Sequence, residues 1–242
     1  MPKKLLAGDR LIVALDYTQA KPALDMARSL RGAVRTLKIG SILFTACGPD
    51  IVNRVRRMGF DVMLDLKFYD IPSTVELSVR AATGLGVSLL TVHATGEKMM
   101  LSAAVAGARE EARRLKVPSP KILAVTVLTS ADPAKGKGLD KLVLELAGRA
   151  AQSGCDGVVC SAQEAPLLRK HFGKRLMLVC PGIRPANAEA QDQRRITTPA
   201  QALALGADKL VVGRPITAAA DPANAARSIL NDMEARTHVK ER

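Results

Sequence analysis

The segment DLKFYD sets three charged side chains, Asp65, Lys67 and Asp70, within six residues, and two more, Asp16 and Lys38, lie at the ends of short apolar runs. Carboxylates and ammonium groups held close together can move a proton or stabilise charge that develops on a carbon atom. Singly, each residue has a plainer role. Asp16 could cap a helix, a role for which Thr18 competes, and Lys38 could be a surface lysine with its stem along apolar neighbours. Asp65 and Lys67 could form a strand-end ion pair, and structural pairs outnumber catalytic ones. As a set they are harder to explain by stability, because buried ion pairs seldom add much to it.

A second group has the chemistry of anion binding. Pro181-Gly182-Ile183-Arg184 precedes a polar loop containing Gln193, and Gly213-Arg214-Pro215-Ile216-Thr217 lies further on. Glycine lets backbone N–H groups approach an anion, and the planar arginine fork matches phosphate oxygens. Either loop alone reads as a tight turn with a surface charge; two loops of the same chemistry point to phosphate.

The elements that must position these groups recur with a regular order. Apolar, β-branched runs at Leu11–Leu15, Val34–Ile39, Asp61–Leu66, Val87–His93, Lys121–Leu128, Gly157–Cys160, Arg175–Cys180 and Asp208–Val212 predict eight strands. Between and after them, helical spacing predicts helices over residues 19–30, 48–58, 73–84, 97–115, 140–152, 162–171, 198–205 and 222–235. Strict alternation implies parallel strands with right-handed crossovers, and near-continuous apolar strands such as LIVAL fit a sheet covered on both faces. Eight such units favour a closed (β/α)8 TIM barrel. The rival, a doubly wound open sheet, lacks its G-x-G-x-x-G fingerprint after Leu15.

In a barrel the active site lies at the C-terminal strand ends, often with phosphate held by the loops after strands seven and eight. Both groups fall there. Alternation along the third strand puts Asp65 and Lys67 on one face, and neighbouring strands are about 4.8 Å apart, so the ends of strands one to three can bring the charged groups into contact. The glycine-containing DPAKGKG (Asp132–Gly138) reads as a mobile loop.

Composition narrows the function classes. At 242 residues the chain has the usual length of one such barrel, and no linker or low-complexity tract divides it, so residues 1–242 read as one domain, with two small domains as the alternative. The formal charge is +13, but the basic residues are scattered, with no block of five or six. With no Trp, two Tyr and four Phe there is little to stack bases on, which argues against a single-stranded nucleic-acid binder. Cys47, Cys155, Cys160 and Cys180 form no C-x-x-C pair and read as buried thiols, without a zinc site or a disulfide framework. No segment approaches 18 uninterrupted apolar residues, and the N-terminus has no signal-peptide pattern; a cytoplasmic enzyme is the expectation.

From about Leu11 to Ser228 the chain resembles the orotidine 5'-phosphate decarboxylase family, bacterial type. The resemblance rests on VALD (Val13–Asp16), LKIG (Leu37–Gly40), DLKFYDIPST (Asp65–Thr74), TVHA (Thr91–Ala94), VTVLTS (Val125–Ser130), DGVVCS (Asp156–Ser161), PGIR (Pro181–Arg184) and VGRPIT (Val212–Thr217), in family order. A lone D-x-K-x-x-D is shared with a wider group of decarboxylases and aldolases; the set is specific. Ser73 stands where Asn or Thr is common and Glu97 where a second Gly is common, and neither belongs to the charged cluster.

The resemblance implies decarboxylation of orotidine 5'-phosphate to UMP, the last step of de novo pyrimidine nucleotide biosynthesis, without metal or cofactor. It implies that Lys67 protonates C6 as carbon dioxide leaves, that Asp65 lies against the departing carboxylate, and that Asp70 reaches in from the other subunit of a homodimer. Lys38 and Asp16 would orient the cluster and bind ribose hydroxyls, Thr129 and Ser130 would face the pyrimidine, and Arg184, Gln193, Gly213 and Arg214 would hold the phosphate. Thr74 and Pro181 complete the implied substrate contacts, and the loop after Arg184 would be a lid.

Losing carbon dioxide leaves negative charge on a carbon with no electron sink, so a fixed ammonium there would stabilise the transition state more than the ground state. The rivals are a magnesium-dependent phosphosugar decarboxylase or aldolase, which needs an acidic residue where Lys38 stands; a nucleic-acid binder, supported only by total charge; and a non-catalytic phosphate-binding barrel, which has no use for Lys67.

Overall fold

A computed structural model describes residues 7–128, 137–185 and 197–235. The chain is a (β/α)8 TIM barrel: β1 (Leu11–Ala14), β2 (Thr36–Gly40), β3 (Asp61–Phe68), β4 (Leu89–His93), β5 (Lys121–Val125), β6 (Gly157–Val159), β7 (Met177–Cys180) and β8 (Lys209–Val212) pair in parallel, in sequence order, and β8 closes on β1. All eight predicted strands are present. The outer ring includes α2 (Ala20–Ser29), α4 (Asp50–Arg57), α5 (Pro72–Gly84), α6 (Lys98–Leu115), α7 (Lys137–Gln152), α8 (Ala165–Phe172), α9 (Pro199–Ala204) and α11 (Pro222–Ala235), matching the expected helices to within a few residues.

Three short helices are additions. α1 (Ala7–Arg10) leads directly into β1, α3 (Ser41–Cys47) follows β2, and α10 (Arg214–Thr217) follows β8. The periodicity did not reveal them because α1 and α10 span one turn and α3 two, too short for a 3.6-residue repeat to stand out. Predicted strand ends were also too long in places: Val127 and Leu128 lie beyond β5, and Val34 lies before β2.

Alternation along the strands divides the core in two. Leu11, Val13, Leu37, Ile39, Val62, Leu64, Leu90 and Val92 face outward into the layer shared with the helices. Ile12, Ala14, Met63, Leu89, Leu123, Val125, Val159, Val179 and Val211 face inward and fill the barrel. The inward aliphatic layer forms a packed floor, so side chains two residues further along β1, β3 and β4 emerge at the C-terminal end. At Gly157 an added Cβ would sit 2.4 Å from the Met177 carbonyl oxygen, so only glycine admits β7 at this distance. All four cysteines are free; Cys155, Cys160 and Cys180 are buried as expected, whereas Cys47 is only half-buried. Among the described residues no helix is long and apolar enough to cross a membrane.

Candidate active site at the C-terminal strand ends

A cavity of about 610 Å³ opens at the C-terminal end of the barrel. Its wall is charged on one side, where Asp16, Lys38, Asp65 and Lys67 project from β1 to β3, and arginine- and glycine-rich on the other, after β7 and β8. Between them the lining is aliphatic, including Val125, Val127, Leu128 and Val159.

The charges alternate in space. Lys38 Nζ lies 3.1 Å from Asp16 Oδ1 and 3.5 Å from Asp65 Oδ2, and Lys67 Nζ lies 2.9 Å from the same Asp65 oxygen. Lys38 and Asp65 keep only 12% of their side-chain surface exposed, which removes the surface-lysine reading of Lys38. Asp16 does not cap a helix: the N-cap of α2 is Gln19, with no side-chain cap bond, and Thr18 does not supply one either. Burial pushes the Asp65 carboxyl up, but Lys38, Lys67 and hydrogen bonds from Lys67 and Thr91 outweigh it and hold the group below its ordinary value.

Local chain geometry makes this packing fit. Asp65 pairs with Gly40 across β2 and β3, and Ala14 with Lys38 across β1 and β2, so the four side chains rise from adjacent ladder positions. Gly40 leaves room beside Lys38: a Cβ there would meet Lys38 Nζ at 3.0 Å and Asp16 Oδ1 at 3.5 Å. Lys67 departs from simple alternation. Its φ is 52°, a left-handed value that a lysine rarely adopts, and the β3–β4 register shifts between Leu64 and Phe68.

Two further residues stand against the cluster that the charge pattern did not single out. The Thr91 hydroxyl accepts the Lys67 backbone N–H at 3.0 Å and donates to Asp65 Oδ1 at 2.9 Å. His93, two residues along β4, packs edge-on to Tyr69 with ring centroids 5.9 Å apart. Burial and the Lys67 ammonium lower its pKa, with Asp65 opposing. Both lie in the TVHA segment, and the inward position of alternate β4 residues was the signal that could have found them.

Asp70 stands outside the cluster of its own chain, where the resemblance implies that it serves the site of another subunit. It is exposed, accepts its hydrogen bond from the Ile71 N–H at 2.6 Å, and is not among the cavity-lining residues; Thr74 is likewise exposed, in the first turn of α5. β3 ends at Phe68, and Asp70 lies in the short connection that leads to α5. Pro181, Arg184, Gly213 and Arg214 all line the cavity, with Arg184 buried and α10 starting directly after Gly213, as in many barrel phosphate sites. Thr129, Ser130 and Gln193, together with most of DPAKGKG and the loop after Arg184, lie outside the described residues. Among the described residues no group of three or more His, Cys, Asp or Glu could hold a metal ion.

Fold and site together define a barrel of the enzyme type, with an ionic array facing arginine- and glycine-bearing turns across one cavity. The family model for orotidine 5'-phosphate decarboxylase / HUMPS matches residues 9–229, and the chain belongs to that family. It is 50% identical over 233 residues to the orotidine 5'-phosphate decarboxylase of Halorhodospira halophila, covering 93% of this chain and 96% of that one. Against the enzyme of that name from Nitrosococcus oceani it is 48% identical over 226 residues, covering 91% and 95%. The crystal structure of orotidine 5'-phosphate decarboxylase from Lactobacillus acidophilus superposes with a TM-score of 0.79 at 36% identity, over 93% of this chain and 100% of that one.

Proposed function

We propose that this chain is a carboxy-lyase that converts orotidine 5'-phosphate to UMP and carbon dioxide in pyrimidine biosynthesis, with Lys67 protonating C6 and without a cofactor. The observation that carries the reading is the run Asp16, Lys38, Asp65, Lys67, in which each ammonium contacts at least one carboxylate at 2.9–3.5 Å. In the reaction the bond from C6 to the carboxyl carbon breaks, its electron pair stays on C6, and Lys67 delivers a proton there. A prearranged ammonium lowers the cost of that charge at no reorganisation cost. Asp65 beside the leaving carboxylate fixes Lys67, while Lys38 and Asp16 are within reach of the ribose. Two ammonium groups already supply positive charge where a metal-dependent relative would bring a divalent ion.

Arg184, Gly213 and Arg214 fit the phosphate, with Gln193, Thr129 and Ser130 as further contacts to phosphate and pyrimidine, and Pro181 and Thr74 at the edges. Contacts so far from C6 supply binding energy for organising the reacting centre. Asp70 enters through a second copy of the chain: it is flanked by Tyr69 and Ile71, exposed at 61% and 64%, with Leu77 exposed at 66% on α5, an apolar surround that suits an interface. Free cysteines fit a reducing, cytoplasmic setting.

The test follows loss of orotidine 5'-phosphate absorbance. Wild type should turn over with EDTA present, and Lys67→Ala should lose about 10³-fold or more in kcat. An inactive wild type would remove the function, and an active Lys67→Ala variant the mechanism.

A further inference from the structure

We propose that Thr91 is a positioning residue for Lys67, its hydroxyl holding the backbone of β3 in the conformation that aims the ammonium into the cavity. The inference rests on the functional reading above and adds a residue to it.

On β3 and β4, Leu64 pairs with Leu90 and Phe68 with Val92, so Asp65, Leu66 and Lys67 together face the single residue Thr91. Two extra residues on one strand leave backbone groups without their regular partners. The Lys67 N–H is one of them, and the Thr91 side chain, rather than a β4 carbonyl, accepts it at 3.0 Å. The same hydroxyl gives its own proton to Asp65 Oδ1 at 2.9 Å, leaving Asp65 Oδ2 to meet Lys67 Nζ at 2.9 Å and Lys38 Nζ at 3.5 Å.

One hydroxyl therefore ties both ends of the Asp65–Lys67 ion pair: the backbone of one partner and the carboxylate of the other. Thr91 has no exposed surface, so no water competes for these bonds. Its β-branched side chain is stiff about χ1, which fixes the oxygen in direction as well as in distance. The left-handed φ of 52° at Lys67 is costly for a residue with a Cβ, and such strain persists only where the surroundings enforce it. Thr91 is the neighbour that grips it.

Three variants isolate the hydroxyl. Thr91→Val keeps the shape and removes both hydrogen bonds. Thr91→Ser and Thr91→Ala both lose the methyl group and differ only in the hydroxyl, so their comparison stands even if the valine variant does not fold. With orotidine 5'-phosphate as substrate, the alanine variant should be at least tenfold slower in kcat than the serine variant, with KM within about threefold. The acid limb of its kcat profile should move to higher pH, because Asp65 loses a hydrogen bond to its charged form. Crystal structures should show Lys67 leaving the left-handed region in Thr91→Ala and keeping it in Thr91→Ser. Equal kcat in the two, or an unmoved Lys67 backbone in Thr91→Ala, overturns the proposal; a wild type without decarboxylase activity overturns the functional reading instead, since the structural comparison does not depend on turnover.

Discussion

The two walls of the cavity are built by different means. On the β1–β3 side the functional groups sit within the last residues of the strands or directly after them, and ion pairs between neighbouring strands fix them. On the β7–β8 side the groups follow the strands, in turns rich in glycine and proline, with the short α10 after β8. Strand positions are rigid, and loop positions adapt. Under the proposed function, chemistry that depends on tenths of an ångström would be served by the first, and capture and release of a charged ligand by the second.

That contrast can be broken. Asp70 is the sharpest probe of the charged wall, because in one chain it stands outside it. Asp70→Asn should lower kcat by about 10²–10³ if it completes the array across an interface. Mixing Lys67→Ala and Asp70→Asn subunits should then regain activity, since one site of each mixed dimer has both native residues. No loss in the single variant, or no recovery on mixing, would return Asp70 to the surface.

The opposite wall should fail differently. If Arg214 holds the phosphate, Arg214→Ala should lose a charge-assisted contact of about 1.5–3 kcal/mol, so kcat/KM should fall roughly ten- to a hundredfold, through both binding and turnover. A kcat loss as large as that of Asp70→Asn with KM unchanged would mean that the loop wall acts only in the chemical step. Both walls would then be of one kind.

The smallest expected effect concerns the ground between the cluster and its surroundings. His93 has a folded-state pKa below its ordinary value, so on acidification the unfolded chain binds the proton first. Stability linked to it is complete above the unfolded value of about 6.5 and is lost as pH falls through the lower folded value. Asp65 adds a loss of the same sign further down, below the ordinary carboxylate range. Thermal melting at pH 7.5 and 5.5 should show a smaller acid-induced drop in His93→Gln than in wild type; an equal drop would acquit His93.

Much of this was legible in the chain before folding. Eight β-branched runs alternating with helical spacing identified the barrel, because short continuous apolar runs and a 3.6-residue period are written directly in the order of apolar side chains. Position at strand ends marked Asp16, Lys38, Asp65 and Lys67. Other features were not legible. The one-turn helices α1 and α10 are shorter than the pattern that announces a helix. Alternation can place Thr91 on the inward face of β4, but nothing in LLTVH distinguishes a hydroxyl that bridges two partners from one that bonds to nothing.

By itself the sequence determined the barrel, the strand ends that carry charge and the two turns that carry arginine, since these depend on local periodicity and on the order of elements. Tertiary structure decided the rest: that Asp65 is shared by two ammonium groups, that Lys67 adopts a left-handed backbone under the Thr91 hydroxyl, and that Asp70 is exposed outside the cavity lining of its own chain. The reason is physical. Each depends on a register shift or a turn that sets which atoms of distant strands meet, and such contacts arise only when the barrel closes.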